Sequence, residues 1–532
     1  MPREVSVAGV SGAGTMGAGI AQVCCMAGFE TRLYDPDPDA LARGAAAVMT
    51  GLDKGVQRGR WTMDVATAAK EMLLQVSRLE EMAGCDLVIE AAPESLEIKR
   101  ELFGRLSEVC GPETVLATNT SSLPVTALAT AATRPEQVVG MHFFNPVVLM
   151  DLLEVVAGTE SAPEAIELAK DAGRRMGKRV IVAQDGPGFL ANRCARPFGM
   201  ESLKLLGERV ATHEEIDRIV RMGGRFRMGP FELMDLVGID VGFEVTKSFW
   251  EQSFHEPRWR PSMIQARMVQ AGRLGRKTGR GYYDYSGDRH RPEDPQPPEA
   301  GGQGTLAIEG DSSIAEELRT LAEEAGYDVR QMLEFEPDDR PDVVIDAAVG
   351  RSPLEPAPEV EGEETLVLVL CADGSLAELD VHGGAVGFHA LPPLDESQLV
   401  ELTRTRDTSE AHCAHADQLF RSFGKEVAWV GDAPGLVLGR IVCQLVNEAA
   451  FAVSEGVGSA ADVDLAMRHG YNYPRGPLEW GDLIDLDHVV ATLDGFREEL
   501  GEERYRVAPL LRRMVAEGRL GESTGEGFFE YE

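Results

Sequence analysis

The chain repeats itself. His142 and Glu154 recur as His389 and Glu401, Asp185-Gly-Pro-Gly188 as Asp432-Ala-Pro-Gly435, and Gly229-Pro-Phe-Glu232 as Gly476-Pro-Leu-Glu479. All are displaced by 247 residues (389 minus 142, 432 minus 185, 476 minus 229). An ungapped offset held over about a hundred residues is hard to obtain by chance and marks an internal duplication. The ending recurs too: Gly272-Arg-Leu-Gly275 and Thr278-Gly-Arg-Gly281 match Gly518-Arg-Leu-Gly521 and Thr524-Gly-Glu-Gly527. The second half must therefore fold into a variant of the first.

The first half opens like a βαβ unit. A strand over Val5–Val10 runs into a glycine turn, a helix-compatible Ile20–Ala27 follows, and a second strand ends Thr31-Arg-Leu-Tyr-Asp35. Further strands are expected at Asp86–Glu90, Thr114–Thr118 and Val138–His142, in a parallel sheet reaching about Ala183. From Gly188 the pattern turns helical. Residues 287–304 are dense in Pro, Gly and charge, which cannot build a core and reads as a linker. The expected fold is α/β: a Rossmann-type doubly wound sheet (1–185) and a mainly helical domain (186–286). After the linker, a degenerate copy of each follows (305–424 and 425–532).

Between the first strand and helix stands Gly12-Ala13-Gly14-Thr15-Met16-Gly17. The first glycine makes the turn, the second admits a pyrophosphate, and the third lets helix pack on strand. The motif alone is weak in a chain with 57 glycines, but strand, motif, helix and an acidic strand end together are specific. Asp35 suits the adenosine ribose hydroxyls and would repel a 2′-phosphate, so NAD is expected rather than NADP, with Arg32 nearby as the one argument the other way.

Charge excludes other classes. The 88 acidic residues against 52 basic give a formal charge of −36, which repels nucleic acid and anionic membranes. No apolar run is long enough to cross a bilayer, and the N-terminus lacks the pattern of a signal peptide. Eight cysteines without a C-x-x-C pair suggest neither zinc nor a disulfide framework, so no metal and a cytoplasmic location are expected. The basic residues are mostly arginine, with nine lysines; such a surface fits a salt-loving source or a GC-rich genome equally.

The blocks Gly12–Gly17, Glu90-Ala-Ala-Pro-Glu94 with Lys99, Asn119-Thr-Ser-Ser-Leu123, His142-Phe-Phe-Asn-Pro146, Glu154 and Pro187-Gly-Phe-Leu-Ala-Asn192-Arg193 resemble the L-3-hydroxyacyl-CoA dehydrogenase family over about residues 4–285. The duplicated rear half resembles the family's long bacterial form, which is associated with 3-hydroxybutyryl-CoA or 3-hydroxyadipyl-CoA. The resemblance implies a catalytic set of His142, Glu154, Ser121 and Asn192. It places Glu94, Lys99, Asn119, Ser121, Asn145 and Lys277 on the dinucleotide, and Lys54, Arg58 and Ser121 on an acyl-CoA substrate.

Chemistry supports the same roles. Oxidising a secondary alcohol needs a base for the hydroxyl proton, and an imidazole (pKa near ~6.5) paired with a carboxylate is suited to it. A hydroxyl and an amide can meet charge developing on the substrate oxygen. Each residue also has a plainer reading. A lone histidine at a strand end is usually packing, Ser121 and Asn192 could be caps, Glu94 and Lys99 an exposed pair, and Arg60 part of a solvated basic face. The rival activity is a dehydrogenase of free hydroxy or sugar acids on the same scaffold.

The second copy keeps His389 and Glu401 but runs from its first strand into Gly310-Asp-Ser-Ser313, with an acid where pyrophosphate would sit. Gly439 stands at the place of Asn192, and Gly374 is aligned with Ser121. A non-catalytic copy is expected, acting as an internal partner, so that the chain is a monomer with an internal pseudo-dimer or a homodimer through another surface.

Overall fold

The computed structural model describes residues 4–336, 340–350, 365–380 and 382–531. Residues 337–339, 351–364 and 381, within the expected second sheet domain, lie outside the described residues.

The first half forms eight strands: β1 (Val7–Ser11), β2 (Glu30–Tyr34), β3 (Leu73–Val76), β4 (Leu87–Glu90), β5 (Val115–Thr118), β6 (Val138–Phe143), β7 (Leu152–Ala157) and β8 (Arg179–Gln184). Their order is β3-β2-β1-β4-β5-β6-β7-β8. Strands β4 to β7 are buried along their whole length, which is why they read as continuous apolar runs rather than as alternation. One pairing departs from the expected parallel sheet: β6 and β7 are antiparallel. The eight residues between them, 144–151, are too few for the crossover that a parallel pair needs. The reversal sets His142 directly opposite Glu154.

The described residues of the second half repeat the plan with seven strands: β9 (Thr305–Glu309), β10 (Asp328–Arg330), β11 (Val343–Asp346), β12 (Leu366–Leu370), β13 (Val386–His389), β14 (Leu399–Arg404) and β15 (Glu426–Trp429), ordered β10-β9-β11-β12-β13-β14-β15. Here too one pairing is antiparallel, that of β13 with β14, and it sets His389 opposite Glu401. Two expectations are corrected. The sheet extends through β15, beyond the boundary set at 424. Ser121 corresponds to Ala372 rather than to Gly374: Leu368 pairs with Val386 where Ala117 pairs with Val139. Consistently, Asp432 caps the amides of Leu376 and Ala377 as Asp185 caps those of Val125 and Thr126.

Contacts divide the chain into two compact units along lines that cross this domain map. The first runs to Arg193 and takes in Glu455–Tyr471; the second holds Cys194–Ser454 and the chain from Asn472 onward. Helix Ala460–Gly470, from the second helical region, therefore lies on the first sheet. Gln184 N–H donates to the Val457 carbonyl at 2.8 Å, and Gly470 seats so closely on Leu152 that a Cβ would come within 2.7 Å of Cδ2. In the second unit helix His213–Met222, from the first helical region, does the same for the second sheet, with Gln398 N–H donating to Met222 and Gly431 N–H to Val210. Each sheet is completed by a helix of the other repeat.

Within the second unit, helices Arg196–Glu208 and Leu438–Ser454 pack together around Arg440, which is wholly buried and meets Glu201 at 3.3 Å and Glu208 at 2.5 Å. Arg504 meets the same Glu201 at 2.6 Å, and Arg258 meets Glu448 at 2.8 Å. Losing one partner of such a pair strands a buried charge, at a cost of about 3–5 kcal/mol. The linker has no regular structure but is pinned: His290 and Arg291 bind Glu232, and Asp294 binds Arg221.

Candidate active site

The glycine loop behaves as its sequence demands. Gly12 has φ +110°, and Gly17 lies so close to the Gly12 carbonyl that a Cβ would sit at 1.8 Å, so neither tolerates a side chain. Gly14 faces open space and begins helix Thr15–Met26 without any side-chain cap, leaving that helix's first amides directed outward. These uncapped amides and the positive end of the helix suit a pyrophosphate. Asp35 ends β2 beside them, accepting from Ala13 N–H at 2.8 Å and Asp37 N–H at 3.0 Å. Arg32, the residue that left room for a 2′-phosphate, is engaged by Glu30 and by the carbonyls of Glu81 and Ala83. The donor set fits NAD.

On β6, His142 Nδ1 lies 3.0 Å from Glu154 Oε2, with both side chains buried. Glu154 Oε1 accepts from Leu190 N–H at 2.7 Å and Ala191 N–H at 3.1 Å. A fully buried carboxylate is tolerated because each oxygen has partners. The pairing assigns the Nδ1 proton to the Glu154 side and leaves Nε2 as the nitrogen able to take a proton. Phe144 and Phe189 flank the ring, with centroids 4.6 and 5.9 Å away.

Asn192 follows directly on Ala191, so the amides that hold Glu154 also place it. Its Nδ2 donates to the Ser121 carbonyl at 3.4 Å, and its Oδ1 accepts from the hydroxyl of Tyr471. The Ser121 loop is gathered by Glu94, whose Oε1 accepts from Thr120 Oγ1, from the Ser121 and Ser122 amides and from Ser122 Oγ. Burial works against the Glu94 carboxylate, but Lys99 and these bonds outweigh it and hold its pKa below the usual range.

Several residues expected on the dinucleotide are held by partners within the protein. Lys99 points inward, 1% exposed, between Glu90 at 2.7 Å and Glu94 at 3.2 Å, so it braces the loop from beneath. Asn119 Oδ1 accepts from Phe143 N–H, tying β5 to β6. Asn145 is exposed after β6. Lys277 belongs to the second unit and pairs with Asp240. Lys54 and Arg58 are exposed one turn apart at the end of helix Pro38–Gln57, where Gly55 leaves space for the Trp61 ring. Among the described residues no ion pair engages either of them. The sequence reading passed over Tyr471; its only signal was that Gly224 stands at the matching place in the first repeat.

The second copy has the same frame with different contents. Gly310 turns under the Ala347 carbonyl as Gly12 turns under that of Ala91, but the following helix is capped by its own Ser312. Glu401 accepts from the amides of Val437 and Leu438 and makes no bond to His389. His389 is wholly buried against Gly439: a Cβ there would meet its Cε1 at 2.2 Å, so the ring fills the room where Asn192 stands in the first copy. Burial, then His488, pushes His389 down to about 3, and burial pushes Glu401 up to about 8 despite its two amide donors. Burial thus favours the neutral form of each.

Comparison with known proteins gives a consistent picture. The family model described as "3-hydroxyacyl-CoA dehydrogenase, NAD binding domain" matches residues 7–186, and that of the family's C-terminal domain matches residues 188–285 and again 435–531. The chain is 35% identical over 515 residues to "3-hydroxyadipyl-CoA dehydrogenase" of Escherichia coli, covering 97% of this chain and 98% of the relative. It is 40% identical over 277 residues to "Probable 3-hydroxybutyryl-CoA dehydrogenase" of Deinococcus radiodurans, covering 52% of this chain and 99% of that one. The crystal structure of 3-hydroxybutyryl-CoA dehydrogenase from Escherichia coli superposes with a TM-score of 0.80 at 34% identity, over 97% of this chain and 99% of the other.

Proposed function

Because the chain belongs to the 3-hydroxyacyl-CoA dehydrogenase family and is an NAD-dependent oxidoreductase of that kind, we propose that a single site in its first half interconverts a short-chain or dicarboxylic L-3-hydroxyacyl-CoA and its 3-oxoacyl-CoA. The observation that carries this is the buried His142–Glu154 pair, 3.0 Å apart, against its uncoupled copy at His389 and Glu401.

Held by Asp35 and the amides after Gly14, NAD would supply the acceptor for the hydride that leaves C3 of the substrate. His142 Nε2 takes the hydroxyl proton, and Glu154, anchored by two backbone amides, fixes the tautomer and favours the imidazolium that forms. Asn192 and Ser121 supply amide and hydroxyl donors toward the substrate oxygen, so the charge developing there meets dipoles already in place. Asp35 and the amides after Gly14 bind the dinucleotide. Lys54 and Arg58 attract the phosphates of coenzyme A, a local basic exception on an acidic surface. The full-length relative is named for the adipyl substrate and the half-length one for the butyryl; both names lie within the proposed range. The eight cysteines are buried and outside any disulfide, which supports a reducing, cytoplasmic setting. The buried Arg–Glu pairs joining the helical repeats support an internal pseudo-dimer. Following NADH with 3-hydroxybutyryl-CoA, 3-hydroxyadipyl-CoA and the corresponding free acids tests the reading: thioesters turned over at least about a hundredfold more efficiently support it, as binding of the coenzyme A moiety would require, and comparable use of the free acids contradicts it.

A further inference from the structure

The catalytically empty second half reaches into the working site. Its segment Glu455–Tyr471 is fastened along the residues that carry Glu154 and Asn192. Arg193 pairs with Glu455 at 2.8 Å, the Val457 carbonyl accepts from Gln184, Gly458 packs against Leu190 and Gly470 against Leu152. Beyond Gly470 the chain places Tyr471, half-buried, with its ring 6.3 Å from that of Phe144 and its hydroxyl donating to Asn192 Oδ1. The Ser121 carbonyl can only accept, so it requires the Asn192 NH2 on its side. The Tyr471 hydroxyl then serves the amide's other end. The two contacts hold one amide orientation, the one in which Nδ2 stays a donor beside Ser121.

The reciprocal surface shows what the contact is for. In the second unit the helix of the first repeat sits in the same way, with Gly223 beside Leu399 where Gly470 lies beside Leu152. Yet there the tyrosine position is Gly224 and the asparagine position is Gly439. Both members are present at the complete catalytic set and both are absent at the empty one, although the backbone packing is kept at each. Packing alone would not require that difference.

We propose that Tyr471 is a positioning residue of the catalytic site, supplied by the C-terminal repeat, which orients the Asn192 amide toward the substrate oxygen. This rests on Asn192 facing substrate, as in the proposed function, and the experiment separates the two claims. Full-length wild type, Tyr471→Phe, Asn192→Ala and the double variant are compared for kcat and KM in acetoacetyl-CoA reduction, with NADH affinity and Tm measured on each. Tyr471→Phe keeps the ring and removes one hydrogen bond, so kcat should fall roughly tenfold, with NADH affinity and Tm unchanged. Asn192→Ala should fall further, and the double variant should be no slower than Asn192→Ala, because the phenol acts only through the amide. Multiplying losses in the double variant, or wild-type turnover in Tyr471→Phe, would overturn the inference while leaving the proposed function intact. Wild-type turnover in Asn192→Ala would overturn the assignment of Asn192, and the inference with it.

Discussion

Replacing Glu154 by glutamine removes one charge and leaves the shape unchanged. The glutamine amide has two orientations. If its oxygen stays on the Leu190 and Ala191 amides, its NH2 faces His142 Nδ1, which must then accept. The imidazole proton moves to Nε2, and an Nε2–H cannot take the substrate's proton. If the amide flips, its NH2 confronts two buried N–H donors, leaving groups unsatisfied at about 1–3 kcal/mol each. The first orientation wins by several kcal/mol, so the variant keeps its fold and has the wrong tautomer. A tautomer locked this way in a histidine–carboxylate pair costs about 10⁴-fold, and a positioned acid–base group contributes about 10²–10⁴-fold overall. The expected result is a fall in kcat of roughly 10²–10⁴-fold for NADH formation from 3-hydroxybutyryl-CoA, with NADH affinity unchanged and Tm shifted by no more than a few degrees. Turnover within about threefold of wild type at unchanged Tm would refute the tautomer argument.

Replacing Lys54 and Arg58 together by alanine should raise KM for the acyl-CoA more than it lowers kcat, and should weaken the salt dependence of kcat/KM; steady-state kinetics at two ionic strengths checks both. Asp35→Ser removes the carboxylate that repels a 2′-phosphate, so the ratio of NADH to NADPH affinity, read by fluorescence titration, should fall by about 10–100-fold. Glu401 is pushed up to about 8 in the fold, against about 4.3 unfolded. Its contribution to stability is therefore present at acid pH and is lost as pH rises from about 4.3 to about 8. Glu401→Gln cannot ionise, so its Tm should gain on wild type between pH 5 and pH 8 without changing turnover.

What the sequence could and could not disclose follows from how far apart the interacting residues lie. The glycine loop, β1 and β2 are local, and the two strands were legible within about two residues, whereas the helix expected over Ile20–Ala27 begins at Thr15, because the small residues of its first turns carry no apolar period. The duplication fixed the second fold, including the His389–Glu401 register, because the offset of 247 holds through the sheet's antiparallel corner. It misled at Ser121, where Ser375-Leu376 looks like Ser122-Leu123 but the Asp432 caps show that Ala372 is in register. Lys99 was legible as a member of the site but not as an inward brace, because the spacing from Glu90 does not tell which way a lysine turns. The Tyr471–Asn192 contact spans 279 residues and two repeats; no periodicity or motif encodes it. The exchange of helices between the sheets was hidden for the same reason, since a boundary drawn along the chain cannot represent a segment that packs with the other half.

In the proposed function His142 does the chemistry and its homologue His389 does not. Acetoacetyl-CoA reduction followed by NADH absorbance, with wild type, His142→Ala and His389→Ala prepared identically, tests it most directly. His142→Ala should lose roughly 10²–10⁴-fold in kcat, with turnover close to wild type for His389→Ala. Abolition of activity by His389→Ala, with His142→Ala still active, would contradict it.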